Sequence, residues 1–192
     1  MTQASANNEV VQSLINLFRY YQSLGEKAMK QTEGPDLFTQ HNEDSNSVAT
    51  MVKHLWGNMR SRWTDFLTSD GEKDWRERDA EFENDITDLT TLWTLWEEGW
   101  NCLYKALEPL NDEDLTRIVY IRNQGHTVLE AIHRQLGHYA YHVGQIVYRC
   151  KMISDNWQSL SIARGKSTAY NQEKFSQDKH REHFSNEFTK KP

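Results

Sequence analysis

The feature that most limits the fold of this chain is a series of long segments with helical periodicity and few residues that interrupt helices. The 192 residues include only three prolines and nine glycines. Apolar side chains recur every three to four residues, which is the period of an amphipathic α-helix. No alternating β-branched run of strand length stands out. The sequence therefore predicts an all-α protein.

Four of these segments are long enough to be bundle helices, and we place them at about 8–31, 44–67, 86–106 and 127–152. The first is predicted to bury a stripe that includes Val10, Leu14 and Phe18. Residues 115–127 are predicted to be extended or irregular. Four amphipathic helices joined by loops of very different lengths are typical of a four-helix bundle.

Residues 69–84 are strongly charged and contain Gly71, so we interpret them as an exposed loop. A solvated connector is the simpler interpretation, although long loops often lie over binding clefts. At the other end, a short turn or helix follows the fourth helix and leads into a charged extension. We predict one domain over residues 1–172 and a charged C-terminal tail over 173–192, since this length suits a single core.

Composition and charge argue against several classes of function. The net charge of −6 disfavours binding to nucleic acid, which requires a basic surface. No run approaches the ~20 apolar residues of a membrane helix, and the first residues lack the pattern of a signal peptide. Cys102 and Cys150 lie in apolar, helical surroundings and are interpreted as reduced, buried thiols. We predict a cytoplasmic protein without nucleic-acid or membrane partners.

The segment QLGHYAYHVGQIVY carries the first candidate site, because His138 and His142 lie four residues apart and share one helix face. They flank the apolar stripe of the fourth helix, as expected at a cleft between helices. Two neutral imidazoles at this spacing can chelate one divalent ion, but a catalytic site needs a third protein ligand and an open position. Such a pair also occurs by chance as ordinary polar residues, so a third ligand decides the interpretation.

Among the other histidines, His54 is the favoured third ligand. It lies on the long, rigid second helix, away from the centre of the apolar stripe. The remaining candidates lie in loops, on another helix face or in the charged tail: His41, His126, His133, His180 and His183.

The third helix presents Trp93, Trp96 and Trp100 along one stripe. Such a stripe can form the wall of a ligand site, but aromatic side chains more often dominate core burial. We interpret these tryptophans as core.

Two motifs together resemble a known family. A histidine in the middle of the second helix, in VKHLWGNMRSRW, and the pair in GHYAYHVGQIVY are similar to the DinB/YfiT-like metalloprotein superfamily, in its branch of small bacterial proteins of unknown function. The ending SLSIARGKS is also similar, and the resemblance covers residues 9–172. It implies an up-down-down-up four-helix bundle, often a homodimer. It also implies a divalent ion, nickel or zinc, bound by His54, His138 and His142.

The resemblance also implies a type of chemistry. Related proteins include S-transferases that use bacillithiol and isomerases that use mycothiol, in which the metal activates the sulfur. The branch of unknown function has no settled reaction, so the resemblance does not give the substrate. For this chain we hypothesise a metal-dependent thiol transferase or hydrolase-like enzyme, in which a low-molecular-weight thiol such as bacillithiol attacks an electrophile. A non-catalytic metal-binding stress-response protein and a structural bundle without metal are the alternatives.

Further side chains are candidates for supporting roles at such a site. Gln145, one turn from His142, is placed to orient a ligand, or is an ordinary surface residue. Arg60, Arg62 and Arg149 are placed to bind a carboxylate of a thiol cofactor, or pair with surface acids.

Overall fold

A computed structural model describes residues 8–32 and 34–189 and confirms the all-α bundle. The long helices are α1 (Glu9–Met29), α2 (Val48–Trp63), α3 (Leu89–Leu107) and α4 (Val128–Ile153), followed by the shorter α5 (Ser167–Phe175) and α6 (Asn186–Thr189). Short 3-10 turns cover Gly34–Phe38, Ala80–Phe82 and Asp112–Thr116. Two strands, β1 (Ile118–Ile121) and β2 (Gln124–Thr127), complete the secondary structure.

Contacts between the helices fix their directions. The contacts are Arg19–Glu108 and Glu26–Trp96 between α1 and α3, Trp56–Glu98 and Met59–Cys102 between α2 and α3, and Phe18–Tyr139 and Gln31–Ser154 between α1 and α4. Thus α1 runs antiparallel to α3 and parallel to α4, whereas α2 and α3 are parallel. The order is up-down-down-up.

The buried face of α1 differs by one residue from the predicted stripe. Val11, Leu14 and Phe18 are buried, whereas Val10 is 45% exposed, so its predicted place in the core is wrong. The sequence allows two registers because apolar residues occur in adjacent pairs along this helix. Packing selects the register, and the backbone N–H groups of Val10 and Val11 donate to Asp112 beside the end of α3.

The ends of α2 and α4 follow from local sequence. Ser47 begins α2, where its hydroxyl accepts from the backbone N–H of Thr50. Thr127 and Glu130 form a reciprocal capping box at the start of α4. The second helix ends at Trp63, earlier than predicted, because the chain turns extended at Thr64.

The segment predicted to be extended or irregular contains an antiparallel hairpin. Its two-residue turn, Arg122–Asn123, has positive φ values of 55° and 61°, as a tight hairpin turn requires. The Asp70 carboxylate accepts from both of these backbone N–H groups at 2.8 Å. The hairpin is therefore tied to the segment that follows α2.

Many residues of the charged segment between α2 and α3 are exposed, as predicted for a loop, but the segment also packs on the protein and is not simply a solvated connector. Glu81 is buried, and the side chain of Arg76 is only 2% exposed. These charges leave water because they pair with one another: Arg76 Nε lies 2.7 Å from Glu81 Oε1. This segment lies over the cleft between α2 and α4.

The interpretation of the tryptophan stripe as core is confirmed for two of its members. Trp96 and Trp100 are fully buried with ring centroids 5.5 Å apart. Trp93 is half-buried, and its ring lies 5.6 Å from the ammonium nitrogen of Lys30.

The C-terminal segment returns to the outer face of α1. The carbonyl of Phe188 accepts from Ser23 and Lys27, and the ring of Phe184 lies 5.2 Å from that of Tyr20. The predicted tail thus begins within α5 and contacts α1, and its last three residues lie outside the described residues. Among the described helices, none is long and apolar enough to cross a bilayer.

Candidate metal centre

The structure brings the three predicted histidines together. His138 Nε2 lies 3.1 Å from His142 Nε2 and 3.3 Å from His54 Nε2. The three candidate ligand atoms all lie within 4.8 Å of one another. One helix turn of α4 supplies two of the rings, and the antiparallel α2 supplies the third. The five other histidines of the chain are not part of this cluster.

The orientation of His54 is set by a buried ion pair. Its Nδ1 lies 2.9 Å from Glu81 Oε2, and Arg76 binds both carboxylate oxygens at 2.7 and 2.9 Å. Burial alone would raise the pKa of Glu81, but the hydrogen bonds from Arg76 and His54 outweigh burial and lower it. An ionised carboxylate only accepts, so Nδ1 of His54 donates a hydrogen to Glu81, and Nε2 is the ring nitrogen that faces the cluster.

Lowered pKa values keep the other two rings uncharged at neutral pH. His142 Nδ1 lies 2.9 Å from Gln145 Oε1, which accepts its hydrogen. Burial, followed by the neighbouring imidazoles, lowers the pKa of His138 to about 3. Burial and His54 lower the pKa of His142 to about 4. At neutral pH His138 and His142 therefore each have one ring nitrogen without a hydrogen, which is the ligand form of histidine.

Gly57 allows the carboxylate to reach His54. A Cβ atom at position 57 would lie 2.3 Å from Glu81 Oε1 and 2.6 Å from Glu81 Cδ. Any larger residue one turn after His54 would displace Glu81. Gly57 in HLWG was a sign in the sequence that another group packs closely against α2. The sequence does not identify that group as Glu81.

Phe82 covers the outer side of the same histidine. Its ring stacks on His54 with centroids 4.7 Å apart and an interplanar angle of 28°. Sequence reasoning missed Arg76, Glu81 and Phe82 together, because they come from an irregular segment whose charges look like those of a solvated loop.

A second set of polar side chains lies directly beneath the histidines. We call it the inner layer, and it consists of Asn58, Trp63, Gln135 and Tyr139. Asn58 Oδ1 accepts from Gln135 Nε2 at 3.0 Å and from the Tyr139 hydroxyl at 3.1 Å. The same hydroxyl accepts from Trp63 Nε1 at 3.0 Å. All four side chains are buried, so this network forms the floor of the site.

Comparison with known proteins gives a family but no function. The sequence profile of a family described as a protein of unknown function, DUF1572, matches residues 5–166. The chain belongs to this family. The matched region of the DUF1572 protein includes all three clustered histidines and Glu81, and it ends before α5. Searches of curated proteins and of solved structures found no match to the chain.

A cavity of about 440 Å³ opens over the histidines of the DUF1572 protein. Of the three arginines singled out from the sequence, Arg62 lines this cavity but donates to Glu72 and to the carbonyl of Gly71. Arg60 instead lies over the rings of Trp56 and Trp75. Arg149 is not among the cavity-lining residues.

The arrangement has the features of a ligand set with an open side. Three imidazoles supply one face, and the cavity leaves room for a further ligand on the other. Such a set suits a divalent transition metal, because imidazole is a good ligand for zinc, nickel and copper.

Proposed function

We propose that this DUF1572 protein binds one divalent ion, nickel or zinc, through His54, His138 and His142 and acts as a thiol S-transferase. The observation that carries the proposal is the convergence of three Nε2 atoms within 4.8 Å while two of the rings have Nδ1 held by an acceptor. Without a cation, the close approach of these nitrogens depends on hydrogen bonds between the imidazoles alone. The fold order and the position of the histidines on α2 and α4 support the resemblance to the DinB/YfiT-like superfamily.

The proposed reaction joins a low-molecular-weight thiol, such as bacillithiol, to a small electrophile. The ion would supply stabilisation of the thiolate, since three neutral ligands leave its positive charge uncompensated. A sulfur–carbon bond forms, the bond to the leaving group breaks, and the thiol proton passes to water. The chain contributes orientation: Glu81 fixes His54, Gln145 fixes His142, and the cavity volume of about 440 Å³ suits small reactants.

A non-catalytic metal-binding stress-response protein is the second candidate. The observation that favours it is the lack of a carboxylate, lysine or cysteine among the cavity-lining residues in the described part of the chain. Apart from the three histidines and Tyr141, no residue of this lining is thus a candidate general base. Transfer from a metal-stabilised thiolate needs none, so activity separates the two candidates.

Metal analysis tests the site itself. Protein purified without chelators is expected to contain about one ion per chain. His138→Ala is expected to weaken binding at least about a hundredfold, because it removes one of three ligands. His133→Ala is the matched control, since His133 is an exposed histidine on the same helix. Equal metal content in all three proteins, or none in the wild type, would refute the proposal.

A conjugation assay tests the reaction. Metal-loaded protein is expected to accelerate the addition of a small thiol to a chlorodinitrobenzene, with loss of the rate in His138→Ala and retention in His133→Ala. Stoichiometric metal with no rate above the uncatalysed reaction would favour the non-catalytic candidate.

Assembly and location are proposals of the same kind. The resemblance favours a homodimer, which sedimentation of the purified protein tests directly. A cytoplasmic location is in keeping with the two free cysteines, Cys102 and Cys150, which fractionation of cells tests.

A further inference from the structure

The cavity over the histidines is unusually rich in positive charge for this chain. Five arginines line it: Arg62, Arg76, Arg78, Arg122 and Arg134. The chain as a whole carries a net charge of −6. The cluster therefore does not follow from composition and needs a local explanation.

Three of the five have structural partners. Glu72 accepts from Arg62 at 3.2 Å and from Arg122 at 3.0 Å, and it also lies 3.4 Å from Arg76. Arg76 in turn binds Glu81. These arginines hold the charged segment against α2 and the hairpin, and their charge is largely compensated by the two carboxylates.

Arg78 and Arg134 have no such compensation. Within the described chain, neither has a carboxylate within ion-pair distance. The guanidinium of Arg78 lies 5.3 Å from the ring centroid of Phe82. That of Arg134 has a long contact of 3.5 Å with His126 Nε2.

Both arginines are placed next to the candidate metal ligands. The guanidinium of Arg78 lies over the ring of Phe82, and the same ring stacks on His54. Arg134 lies four residues before His138 and so shares its face of α4. The two guanidinium groups border the same cavity, one from the charged segment and one from α4.

We infer that Arg78 and Arg134 bind an oxyanion group, a carboxylate or a sulfonate, of the molecule whose sulfur meets the metal. This inference rests on the proposed metal-dependent function and adds the class of substrate. A divalent ion on three neutral imidazoles beside two uncompensated guanidinium groups lacks negative charge, and an anionic thiol supplies it at both positions. Guanidinium groups favour such oxyanions because their N–H groups form charge-assisted, bidentate hydrogen bonds.

The test uses protein loaded with cobalt, whose thiolate absorption band reports thiol binding. The probes are mercaptoethanol, cysteamine, mercaptopropionate and mercaptoethanesulfonate, which are neutral, cationic, carboxylate and sulfonate thiols. At low salt, at least one anionic thiol is expected to bind about tenfold more tightly than mercaptoethanol, and cysteamine more weakly. The two anionic probes show which oxyanion the site prefers.

The variant Arg78→Gln/Arg134→Gln is expected to reduce the anionic preference to within about twofold while metal content and mercaptoethanol affinity stay unchanged. Arg149→Gln/Arg164→Gln is the matched control, since it removes the same charge from positions that do not line the cavity. Equal affinities for all four thiols, or a preference retained in the cavity variant, would overturn the inference.

Metal content of the same samples separates this inference from the proposed function. Bound cobalt without a charge preference refutes the substrate class and leaves the metal site intact. If no cobalt binds, the proposed function fails, and calorimetry of metal-free protein with mercaptoethanesulfonate decides the inference. Binding that depends on Arg78 and Arg134 then supports an anion site, and no binding overturns it.

Discussion

Two polar layers lie next to each other between α2 and α4, and they differ in the partners that their hydrogen-bonding groups meet. In the inner layer, the donors of Gln135 and Tyr139 both meet the carbonyl oxygen of Asn58. In the layer above, three histidine ring nitrogens face one another. In the first arrangement each donor meets an oxygen acceptor, whereas in the second the Nε2 atoms have only one another as hydrogen-bond partners.

The two layers share the same backbone. Asn58 follows His54 by one helix turn, and Tyr139 is the residue after His138. A satisfied buried network holds α2 and α4 at a fixed spacing and so positions the rings above it. The comparison predicts that changes in the inner layer alter stability, whereas changes in the histidine layer and its supports alter metal binding.

The largest effect on stability is expected from Asn58→Leu. This change leaves the buried donors of Gln135 and Tyr139 without an acceptor, at a cost of roughly 1–3 kcal/mol for each group. We expect urea unfolding of the metal-free protein to show a loss of about 3 kcal/mol, with metal stoichiometry retained. Asn101→Leu, at an exposed position on α3, is the control. A similar, small loss in both variants would show that the inner layer is not a stabilising network.

A somewhat smaller effect, now on the metal, is expected from Glu81→Gln. The substitution removes the charge that orients His54, and loss of such a partner typically lowers metal affinity about 10–100-fold. Competition titration with a chromophoric chelator measures the change. Glu72→Gln is the matched control and is expected to have a clearly smaller effect, because Glu72 also pairs with Arg76 but reaches His54 only through Arg76 and Glu81. The idea fails if the two variants lose affinity equally.

The smallest effect concerns pH. The pKa values of His138 and His142 are lowered to about 3 and about 4, whereas unfolded histidine titrates near 6.5. As pH falls from about 6.5 to 4, the unfolded chain binds more protons than the native state, so metal-free protein loses stability. Because the rings are partly exposed, we expect this loss of stability to lower Tm by only about 2–4 °C.

The control for the pH effect is His138→Ala/His142→Ala, in which the decline of Tm between pH 6.5 and 4 should be shallower than in the wild type. Asn58→Leu should start from a lower Tm but keep the wild-type slope. Parallel Tm curves for the wild type and the histidine variant would contradict the assigned neutral state of the rings.

The parts of this structure that the sequence predicted are those set by local spacing. Helical periodicity located four long helices, and the i, i+4 relation placed His138 and His142 on one face. His54 was favoured because it lies on a rigid helix, and the structure places it beside the pair. Its role as a metal ligand stays a prediction.

The parts that were missed depend on long-range packing. The hairpin has strands of four residues, and its Arg122–Asn123 turn lacks the glycine that usually marks such turns. Glu81 and Arg76 could be recognised only as a pair, because each charge can be buried only when it is paired with the other. A segment with mixed charges does not show which acidic and basic side chains will form ion pairs.

The attachment of the hairpin to the charged segment has a consequence for the histidine on α2. Asp70 binds the hairpin turn, and Glu72, two residues later, contacts Arg76, which holds Glu81 against His54. A shift at the tip of the hairpin can thus reach the imidazole through a relay of charged side chains, while the helices stay in place. If a metal binds there as proposed, its coordination would be adjustable from outside the bundle.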